Sequence, residues 1–473
     1  VILKYFNYKG ITLNSKSLRF KNESLMEAKK HLVLANDYLL ISNIYELWSY
    51  YDISLEKEKN VTYLNAVGNQ YVQAKNLSHM TFMDKRVAKM TSDAYREYIQ
   101  GITYQFRPIL PPAHYNSSNE KTSGDFLMRY LNIDNLNFLV NNIPISILLR
   151  AYTVIEEESK KFLVNSYQKN IYMKNDLNKI CLVLSGSKWR KKFESAGIPN
   201  KYSKKVIEFL IFSKQSNDLF DCPFIKFEDK LLVVPSINLN LDASRAIILN
   251  ANSNQINLAS KGYTFEKIIA DTLKKRNIKC ISEKKHNQGE TYECDAIFNI
   301  EETLYFVEIK NWTIPTTYKE YAYYLDDISK TISQHERTVE FYLRKENLDE
   351  ILKQLDFPSI KRTKKLILTN VSLGLKALNS DTYLLDDTMF RGYFNRNSPK
   401  IVEKKNLSLS ISSTFTEFYE GEITDQQFNT FIESVPFLDH QKDRLEEIEF
   451  NSTLKLNIKL KDYGFRNLYI KKE

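Results

Sequence analysis

Cysteine is scarce in this chain of 473 residues, and the four cysteines are too scattered to form a motif. Cys181, Cys222, Cys280 and Cys294 include no Cys-x-x-Cys pair, which argues against a structural zinc site and against a disulfide framework. Free thiols in a large protein are typical of a reducing compartment. We therefore expect a cytoplasmic protein.

Long apolar runs, glycine-rich loops and targeting signals are also missing. The most apolar long segment, residues 138–155, contains two asparagines, a proline and Arg150, so it predicts a buried helix better than a membrane span. The chain has 12 glycines and no glycine-rich phosphate loop, which gives no indication of ATP use. Its first residues lack the pattern of a secretory signal. These features predict a protein without a membrane partner.

Positive charge and apolar residues are what the chain does have. Lysine and arginine number 67 against 58 acidic residues, and this surplus suits contact with nucleic acid. An AT-rich coding bias would enrich lysine as well, so the charge permits such a partner without requiring it. Hydrophobic residues make up 43% of the chain, which is enough for real cores. The length predicts roughly two to four domains.

Composition shifts divide the chain into four predicted regions. Prolines at 108, 111 and 112 and the polar run 116–124 predict a boundary near residue 115. We expect residues 1–115 to form a mixed, mainly helical region and residues 116–258 a helical region with a β-hairpin, a candidate substrate or sensor module. Residues 259–400 are predicted to form an α/β domain, and residues 401–473 a small β-rich C-terminal appendage.

Two helices and a hairpin are predicted in the second of these regions. Helical spacing covers Ser187–Ala196 and Lys204–Phe212, and two apolar runs flank Glu228–Lys230 as the strands of a hairpin. With the basic start of the first helix, this set is compatible with a winged helix-turn-helix that enters a groove of DNA. Short helices and hairpins occur in many folds, and the sequence favours a helical bundle with a solvated basic face.

The third region has a regular succession of helix and strand patterns. Its order is α-β-β-β-α-β, which predicts a mixed α/β sheet with helices on its faces. The predicted elements are a helix at Tyr263–Arg276, strands near Lys279–Glu283, Glu293–Ile300 and Thr303–Lys310, a long helix at Lys319–Arg344 and a strand at Lys365–Val371.

The third predicted strand ends in charged residues. An apolar run over 304–307 leads into Glu308-Ile309-Lys310, and the alternation of a strand places Glu308 and Lys310 on the same side. Asp295 lies in the preceding strand. Mg²⁺ prefers hard oxygen ligands and acidifies the water that it keeps, so Asp295 and Glu308 are predicted metal ligands. Lys310 would then orient the attacking water or stabilise phosphate charge.

Glu266 adds a carboxylate from the preceding helix. It shares a helical face with Ile269 and Leu273, so we expect it to lie partly buried against the sheet. A carboxylate in such a place needs a partner, and a metal or its water shell would serve. A salt bridge to a nearby lysine is the alternative.

The sequence motif Glu-x-Lys carries little information by itself. The context of Glu308 is what distinguishes it, namely the apolar run before it, an aspartate on the previous strand and a glutamate on the helix before that. Charge inside a buried strand is costly unless a site uses it. The other five occurrences are Glu27/Lys29, Glu158/Lys160, Glu228/Lys230, Glu283/Lys285 and Glu403/Lys405.

The order Glu266, Asp295 and Glu308-Ile309-Lys310 resembles that of the PD-(D/E)XK nuclease superfamily. The stretches 262–266 and 308–312 are similar to the nuclease-related domain branch and to modification-dependent restriction nucleases. The resemblance covers about residues 259–372 and implies a restriction-endonuclease-like core within the predicted domain 259–400. It departs from the family in three places: the first-helix motif offers only Gly262 and Glu266 where the branch usually has a second Gly and a second Glu, no proline precedes Asp295, and Thr338 stands where some relatives have a tyrosine.

The resemblance also implies roles for individual residues. Asp295 and Glu308 would bind Mg²⁺, for which Mn²⁺ could substitute, and the Ile309 carbonyl would complete the metal shell. Lys310 would assist the water, and Glu266 would support a second metal or a water. Two residues of the long helix carry weaker expectations. Gln334 is where some relatives have a supporting glutamine, but it is better explained as a surface residue, and His335 as a core residue.

The implied function is metal-dependent hydrolysis of nucleic acid, with DNA favoured over RNA and endonuclease over exonuclease action. Such an enzyme suits bacterial restriction or antiviral defence against phage. One alternative is a nuclease-like protein that binds nucleic acid without turnover. Another is an interaction protein whose N-terminal region recruits a protein partner or a second copy of the chain.

Overall fold

The architecture is taken from a computed structural model of the chain. The chain forms two compact units, the first made of residues 1–39 and 90–258 and the second of residues 40–89 and 259–473. The structure describes residues 2–10, 22–66, 70–83, 110, 112, 118–131, 133, 135–165, 180–216, 218–239, 241–256, 258, 263–312, 314–315, 317–377, 382–405, 408–413, 415–451 and 457–465.

The described elements are numbered here in chain order. The helices are α1 (Ile2–Tyr8), α2 (Asn22–Tyr50), α3 (Gln70–Met83), α4 (Ser118–Tyr130), α5 (Ile145–Asn165), α6 (Gly186–Ser195), α7 (Asn200–Leu210), α8 (Pro235–Asn238), α9 (Ala243–Ser253), α10 (Tyr263–Lys274), α11 (Tyr318–Tyr342), α12 (Lys345–Gln354), α13 (Asp387–Phe394), α14 (Thr416–Tyr419), α15 (Asp425–Ser434) and α16 (Pro436–Lys442). The strands are β1 (Ile53–Glu58), β2 (Val61–Ala66), β3 (Leu139–Val140), β4 (Ile143–Pro144), β5 (Leu182–Ser185), β6 (Ile225–Phe227), β7 (Lys230–Val233), β8 (Cys280–Asn287), β9 (Glu290–Ile300), β10 (Thr303–Lys310), β11 (Arg362–Thr369), β12 (Thr382–Asp386), β13 (Lys400–Lys405), β14 (Ser408–Ser413), β15 (Leu445–Asn451) and β16 (Ile458–Phe465).

A five-stranded mixed sheet is the centre of the second unit. Its order is β12-β11-β10-β9-β8, with β8, β9 and β10 antiparallel and β10, β11 and β12 parallel. The parallel pairing of β10 with β11 needs a crossover, which α11 and α12 provide. The predicted order of a helix, three strands, a helix and a strand is therefore present, with α12 as an additional helix before β11. The prediction of a mixed α/β domain is confirmed at this level.

Helices cover both faces of this sheet, so both faces are apolar. On one face Tyr305 and Val307 of β10 pack in a cluster with Phe265 and Ile269 of α10. On the other face the alternate residue Phe306 packs in a cluster with residues of α11 and α12. Burial of each large apolar side chain contributes roughly 1.5–3 kcal/mol. Strand β10 is thus fixed from both sides, and this fixes the position of its charged end.

Residues 401–473, predicted to form a small β-rich appendage, contribute to two parts of the second unit. Helix α15 places Phe428 and Phe431 in the same core as Tyr305, because these apolar residues recur at helical spacing. Strand β16 pairs in parallel with β2, and together with β1 and β15 they form a four-stranded sheet. This region is therefore built into the second unit on helices as well as strands.

The first unit contains the two helices and the hairpin that the sequence predicted between 187 and 235. The hairpin does not stand alone, since β5 pairs with β7 in a three-stranded sheet of order β5-β7-β6. The described elements therefore follow the order α5, β5, α6, α7, β6 and β7, which is compatible with the winged helix-turn-helix considered from the sequence. The favoured interpretation as a plain helical bundle missed β5, a strand of four residues.

The observed division of the chain differs from the four predicted regions. The predicted boundary between residues 258 and 259 coincides with a division between the units, whereas those after 115 and after 400 have no counterpart. The polar run 116–124, which predicted a boundary, contains the start of α4, where Glu120 is buried. In the part of the chain that the structure describes, no helix is long and apolar enough to span a membrane.

Candidate functional site

The candidate site lies where β9 and β10 stop pairing. Their antiparallel ladder reaches Val307 opposite Ala296, one residue before Glu308 and Asp295. Beyond this pair the next contact comes from a side chain: Oδ2 of Asp295 accepts a hydrogen bond from the backbone N–H of Ile309 at 2.6 Å. The other partner of β9 shows a register shift between Ile281 and Glu283, opposite this position. The ladder of β9 with β10 therefore ends where the charged residues begin, whereas β8 resumes its pairing with β9 at Glu283 opposite Cys294.

Glu308 is the buried acid of the site. Glu308 is 5% exposed, and its Oε1 lies 2.6 Å from the Nζ of Lys310. Lys310 follows on the same side of the strand, with 31% of its side chain exposed. The predicted pairing of these two residues at a strand end is thus present, with one partner inside the protein and the other reaching solvent.

Burial and charge repulsion hold the pKa of Glu308 far above its usual range. Removal from water and then the Asp295 carboxylate raise the pKa, the Lys310 ammonium opposes them, and the net result is a pKa of about 7. The pKa of Asp295 is also raised by burial, although the Ile309 N–H and Lys310 oppose this. The two carboxylates therefore share more negative charge than one lysine neutralises.

Lys310 responds in the opposite way to the same surroundings. Burial alone would lower the pKa of its ammonium, but the ion pair with Glu308 and the nearby Asp295 outweigh burial and raise the pKa. Lys310 therefore carries its charge at neutral pH. A charged lysine in this place can stabilise negative charge on a substrate more readily than it can accept a proton.

Glu266 lies half-buried on α10, as its helical spacing predicted. Burial raises the pKa of its carboxyl group, and the charges of Asp295 and Glu293 raise it further. Asp295 is thus electrostatically linked to both Glu308 and Glu266. Within the described residues no lysine forms an ion pair with Glu266, so the predicted alternative of a salt bridge has no support there.

His335 is a neighbour of the site that sequence reasoning did not connect with it. The sequence predicted a core residue, and the side chain is fully buried on α11. Its Nε2 donates a hydrogen bond to the Phe306 carbonyl at 3.2 Å, and its Nδ1 lies 3.9 Å from Oε2 of Glu308 without a hydrogen-bond partner in the described structure. The signal was available, since α11 packs on the sheet face that carries Phe306 and Glu308.

The protonation state of His335 follows from its surroundings. Burial lowers its pKa to about 4, so the ring is neutral at physiological pH. Because Nε2 carries the proton donated to Phe306, Nδ1 is left as an acceptor directed towards Glu308. A buried acceptor without a partner is costly, and a water or a protonated Glu308 would satisfy it.

The other described occurrences of the Glu-x-Lys motif lie in surroundings that differ from those of Glu308 and Lys310. Glu158/Lys160 lies on helix α5, where Lys160 pairs with Glu156, and Glu228/Lys230 lies at the exposed turn between β6 and β7. The nearest match is Glu283/Lys285 on β8, where Lys285 pairs with Glu350 of α12 at 2.5 Å. The side chains of Glu27, Lys29, Glu403 and Lys405 lie outside the described set, as does Gly262 of the predicted first-helix motif.

Two other polar features of the second unit are Gln334 and a basic cluster beside β11. Gln334 is exposed on α11, as expected for a surface residue. The basic cluster that precedes and opens β11 is engaged in ion pairs, which favours a structural role over phosphate contact. The pairs are Lys361 with Glu302, Arg362 with Asp425, Lys364 with Glu433 and Lys365 with Glu336.

The site thus joins two carboxylates, a lysine and a neutral histidine, with a third carboxylate near Asp295. Among the described residues, no group of three or more His, Cys, Asp or Glu side chains has the spacing of a metal-ligand set. No protein-family model, curated protein or solved structure matches the chain in comparisons with known proteins. The chemistry of the side chains is therefore the basis for any functional conclusion.

Proposed function

We propose that the second unit hydrolyses phosphodiester bonds of nucleic acid, favouring DNA, with Mg²⁺ as the metal. The observation that carries this proposal is the buried Glu308 carboxylate, which lies beside Asp295 with a pKa of about 7. A raised pKa within a cluster of two carboxylates and a lysine is a common property of functional sites. A divalent cation would remove the unfavourable charge, since it binds the deprotonated carboxylates that burial and repulsion oppose.

The side chains offer the donor atoms that a hard divalent cation prefers, although the described residues do not form a ligand set of three or more. Asp295 and Glu308 offer carboxylate oxygens, which Mg²⁺ and Mn²⁺ prefer, and the Ile309 carbonyl is the proposed backbone ligand. Glu266 would hold a water or a second ion through Asp295, whose charge already affects it. The Nδ1 of His335 has no hydrogen-bond partner in the described structure and would accept a hydrogen bond from a water next to Glu308.

Catalysis would divide among these residues. Bound Mg²⁺ would supply polarisation of the phosphate and acidification of a water. Asp295 is positioned by the Ile309 N–H, which fixes one carboxylate oxygen at the strand end. Lys310 is charged and partly exposed, so we assign it to the developing charge on the phosphate. His335 would act as a positioning residue for Glu308 through its neutral ring.

The fold supports the same proposal. The order α10, β8, β9, β10, α11 and β11, with β10 parallel to β11, agrees with that of the PD-(D/E)XK nucleases, with Glu308 near the end of β10 and Asp295 within β9 where its ladder to β10 ends. We therefore propose a restriction-endonuclease-like core for residues 259–400. A role in bacterial restriction or antiviral defence belongs to this proposal by analogy alone.

Cleavage of plasmid DNA by the full chain with Mg²⁺ or Mn²⁺ tests the proposed function. We expect Asp295→Asn and Lys310→Ala to lower the rate about a thousandfold, since each removes a group that acts on the transition state. Glu266→Gln should cost less, about tenfold to a hundredfold, because it acts through a neighbour.

Glu283→Gln and Lys285→Ala are matched controls for this experiment. They change a Glu-x-Lys motif on the same sheet as Glu308 and Lys310, but at an ion-paired position on β8. These variants should cut DNA at the parent rate. If the parent cuts neither DNA nor RNA with either metal, or if Asp295→Asn cuts as well as the parent, the proposed function is wrong.

A further inference from the structure

The winged helix-turn-helix arrangement of the first unit has a rigid core. Trp189 and Phe193 of α6 pack on Phe224, which precedes β6, with ring centroids 4.9 Å and 6.4 Å from that of Phe224. The backbone of Phe224 also exchanges hydrogen bonds with α7 and its end, donating to Leu210 and accepting from Phe212. Helices α6 and α7 are thus fixed against the sheet as one body.

The turn between α6 and α7 is held from inside the unit. Arg150 of α5, which is fully buried, donates from Nη1 to the carbonyl of Ala196 at 2.7 Å, directly after α6. On the other side of the turn, Asn200 and Ser203 of α7 donate to the Glu194 carboxylate of α6 at 3.0 and 3.4 Å. The crossing of the two helices is therefore defined by polar contacts as well as by packing.

Helix α7 separates its apolar and charged residues cleanly. Val206, Phe209 and Leu210 are buried, whereas Lys201 and Lys205 are exposed on the other side. Lys204 is also exposed and lies 3.8 Å from Glu208, a weak contact at the surface. The first turns of α7 thus present lysines to solvent, at the end of the helix where the macrodipole also favours an anion.

Helix α6 extends this positive surface. Lys188, Arg190 and Lys191 are exposed, whereas Lys192 forms an ion pair with Glu158 of α5 at 2.6 Å. Residues 186–210 contain seven basic residues against two acidic ones, and one of those acids, Glu194, is engaged between the helices. Within the described part of the chain, Lys188, Arg190, Lys191, Lys201 and Lys205 form no ion pair. Their charge is available to a polyanion.

The hairpin differs in charge from the helices. Its two-residue turn consists of Glu228 and Asp229, both exposed, with Glu228 in the left-handed region at φ 53°. Two acids at the tip would repel phosphates. The helices, and not the hairpin tip, therefore offer the positive contact surface.

We propose that the exposed faces of α6 and α7 bind double-stranded DNA, with α7 in the major groove and the basic residues of α6 on the phosphates. A helix of this width fits the major groove of B-form DNA, whereas the major groove of an RNA duplex is too narrow for it. The proposal is separate from catalysis, because it concerns the first unit and needs neither the metal nor the residues of the second.

Binding of a labelled duplex of about 30 base pairs tests this inference. The full chain is used with EDTA and the Asp295→Asn substitution, so that cleavage cannot interfere. We expect Lys201→Ala/Lys205→Ala to weaken binding about tenfold or more at moderate salt. The slope of log affinity against log salt should fall by about two, one for each phosphate contact removed. Glu208→Gln removes an acid from the same face and should tighten binding.

A control of equal charge is Lys345→Ala/Lys353→Ala, two exposed lysines of α12. This control should bind the duplex like the parent, and circular dichroism verifies that all variants are folded. Equal losses in both double variants would mean that total charge and not this surface is responsible, which overturns the proposal. Parent-like binding by the Lys201/Lys205 variant, or tighter binding of an RNA duplex than of DNA, also overturns it. None of these results bears on cleavage, which the plasmid assay measures.

Discussion

Glu120 and Glu308 are both buried glutamates, but their partners differ. Glu120 lies on α4 with both carboxylate oxygens bound by the Nε of Arg150, at 3.1 and 3.2 Å, and neither side chain is exposed. Glu308 and a second carboxylate, that of Asp295, share one cation, Lys310, whose side chain reaches solvent. Glu120 therefore belongs to a closed pair with balanced charge, and Glu308 to an open cluster with an excess of negative charge. The first arrangement fits a structural role and the second a site for a cation.

The largest effect on stability should follow when the closed pair is broken. Arg150→Met leaves Glu120 buried without its cation, and we expect the first unit to lose about 3–5 kcal/mol of unfolding free energy. Hydrogen exchange in α4 and α5, followed by mass spectrometry, measures the loss locally. Adding Glu120→Gln to Arg150→Met should restore part of it, since the uncompensated charge is gone. An unchanged exchange rate in Arg150→Met would show that the pair is not needed.

The open cluster should instead be stabilised by a cation. With Mg²⁺ or Mn²⁺ at a hundred times its dissociation constant, the second unit should gain about 2.7 kcal/mol, seen as a rise in its melting temperature. Binding requires Glu308 to lose a proton, so at that same metal concentration the gain should be smaller at about pH 6 than at about pH 8. Asp295→Asn should abolish the rise, and Glu346→Gln, at an exposed site on α12, should preserve it. A rise that persists in Asp295→Asn places the metal elsewhere.

Without metal, removal of the charge of Glu308 should stabilise the protein. The folded pKa of about 7 lies above the ordinary value of 4.5, so this group lowers stability progressively as the pH rises from about 4.5 to 7. In EDTA at about pH 8, Glu308→Gln should gain about 2 kcal/mol, less than the full shift implies because Lys310 loses its partner. The gain should vanish at about pH 4.5. A loss of stability at pH 8 would contradict the proposed charge excess.

The smallest effect concerns His335. His335→Asn removes the hydrogen bond to the Phe306 carbonyl and should cost about 1 kcal/mol. Because burial lowers the pKa of His335 to about 4, its removal should leave the change in stability between pH 6 and 8 as it is in the parent. Thermal unfolding in EDTA across this range is the measurement. If the pH dependence disappears in His335→Asn but persists in Glu308→Gln, the titrating group is the histidine.

Local patterns were enough to predict much of the second unit. The strand Thr303–Lys310 is observed with the predicted bounds, and the long helix, predicted at Lys319–Arg344, spans Tyr318–Tyr342. Both segments have strong periodicity and clear ends, since Thr317 caps the helix through a hydrogen bond from the Glu320 N–H. The half-burial of Glu266 followed from the same periodicity.

Contacts between distant parts of the chain were beyond this kind of reasoning. The irregularity within β9, at which Asp295 accepts the Ile309 N–H, depends on how three strands pair. The approach of His335 to Glu308 depends on how α11 crosses the sheet. The four-residue strand β5 is too short to show a period, and so the winged arrangement of the first unit was not the favoured interpretation.

The pairing of β16 with β2 sets a condition on the synthesis of the protein. Thr62 lies opposite Ile458, about 400 residues later in the chain. At usual rates of translation, the hairpin of β1 and β2 waits roughly 20–80 s for this partner. During that time the edge of β2 is open to other chains, and its residues Val61–Ala66 include no charged side chain to discourage such pairing, whereas the opposite strand β1 ends in exposed Glu56, Lys57 and Glu58. A nascent chain that stalls before β16 is therefore the form of this protein most exposed to aggregation.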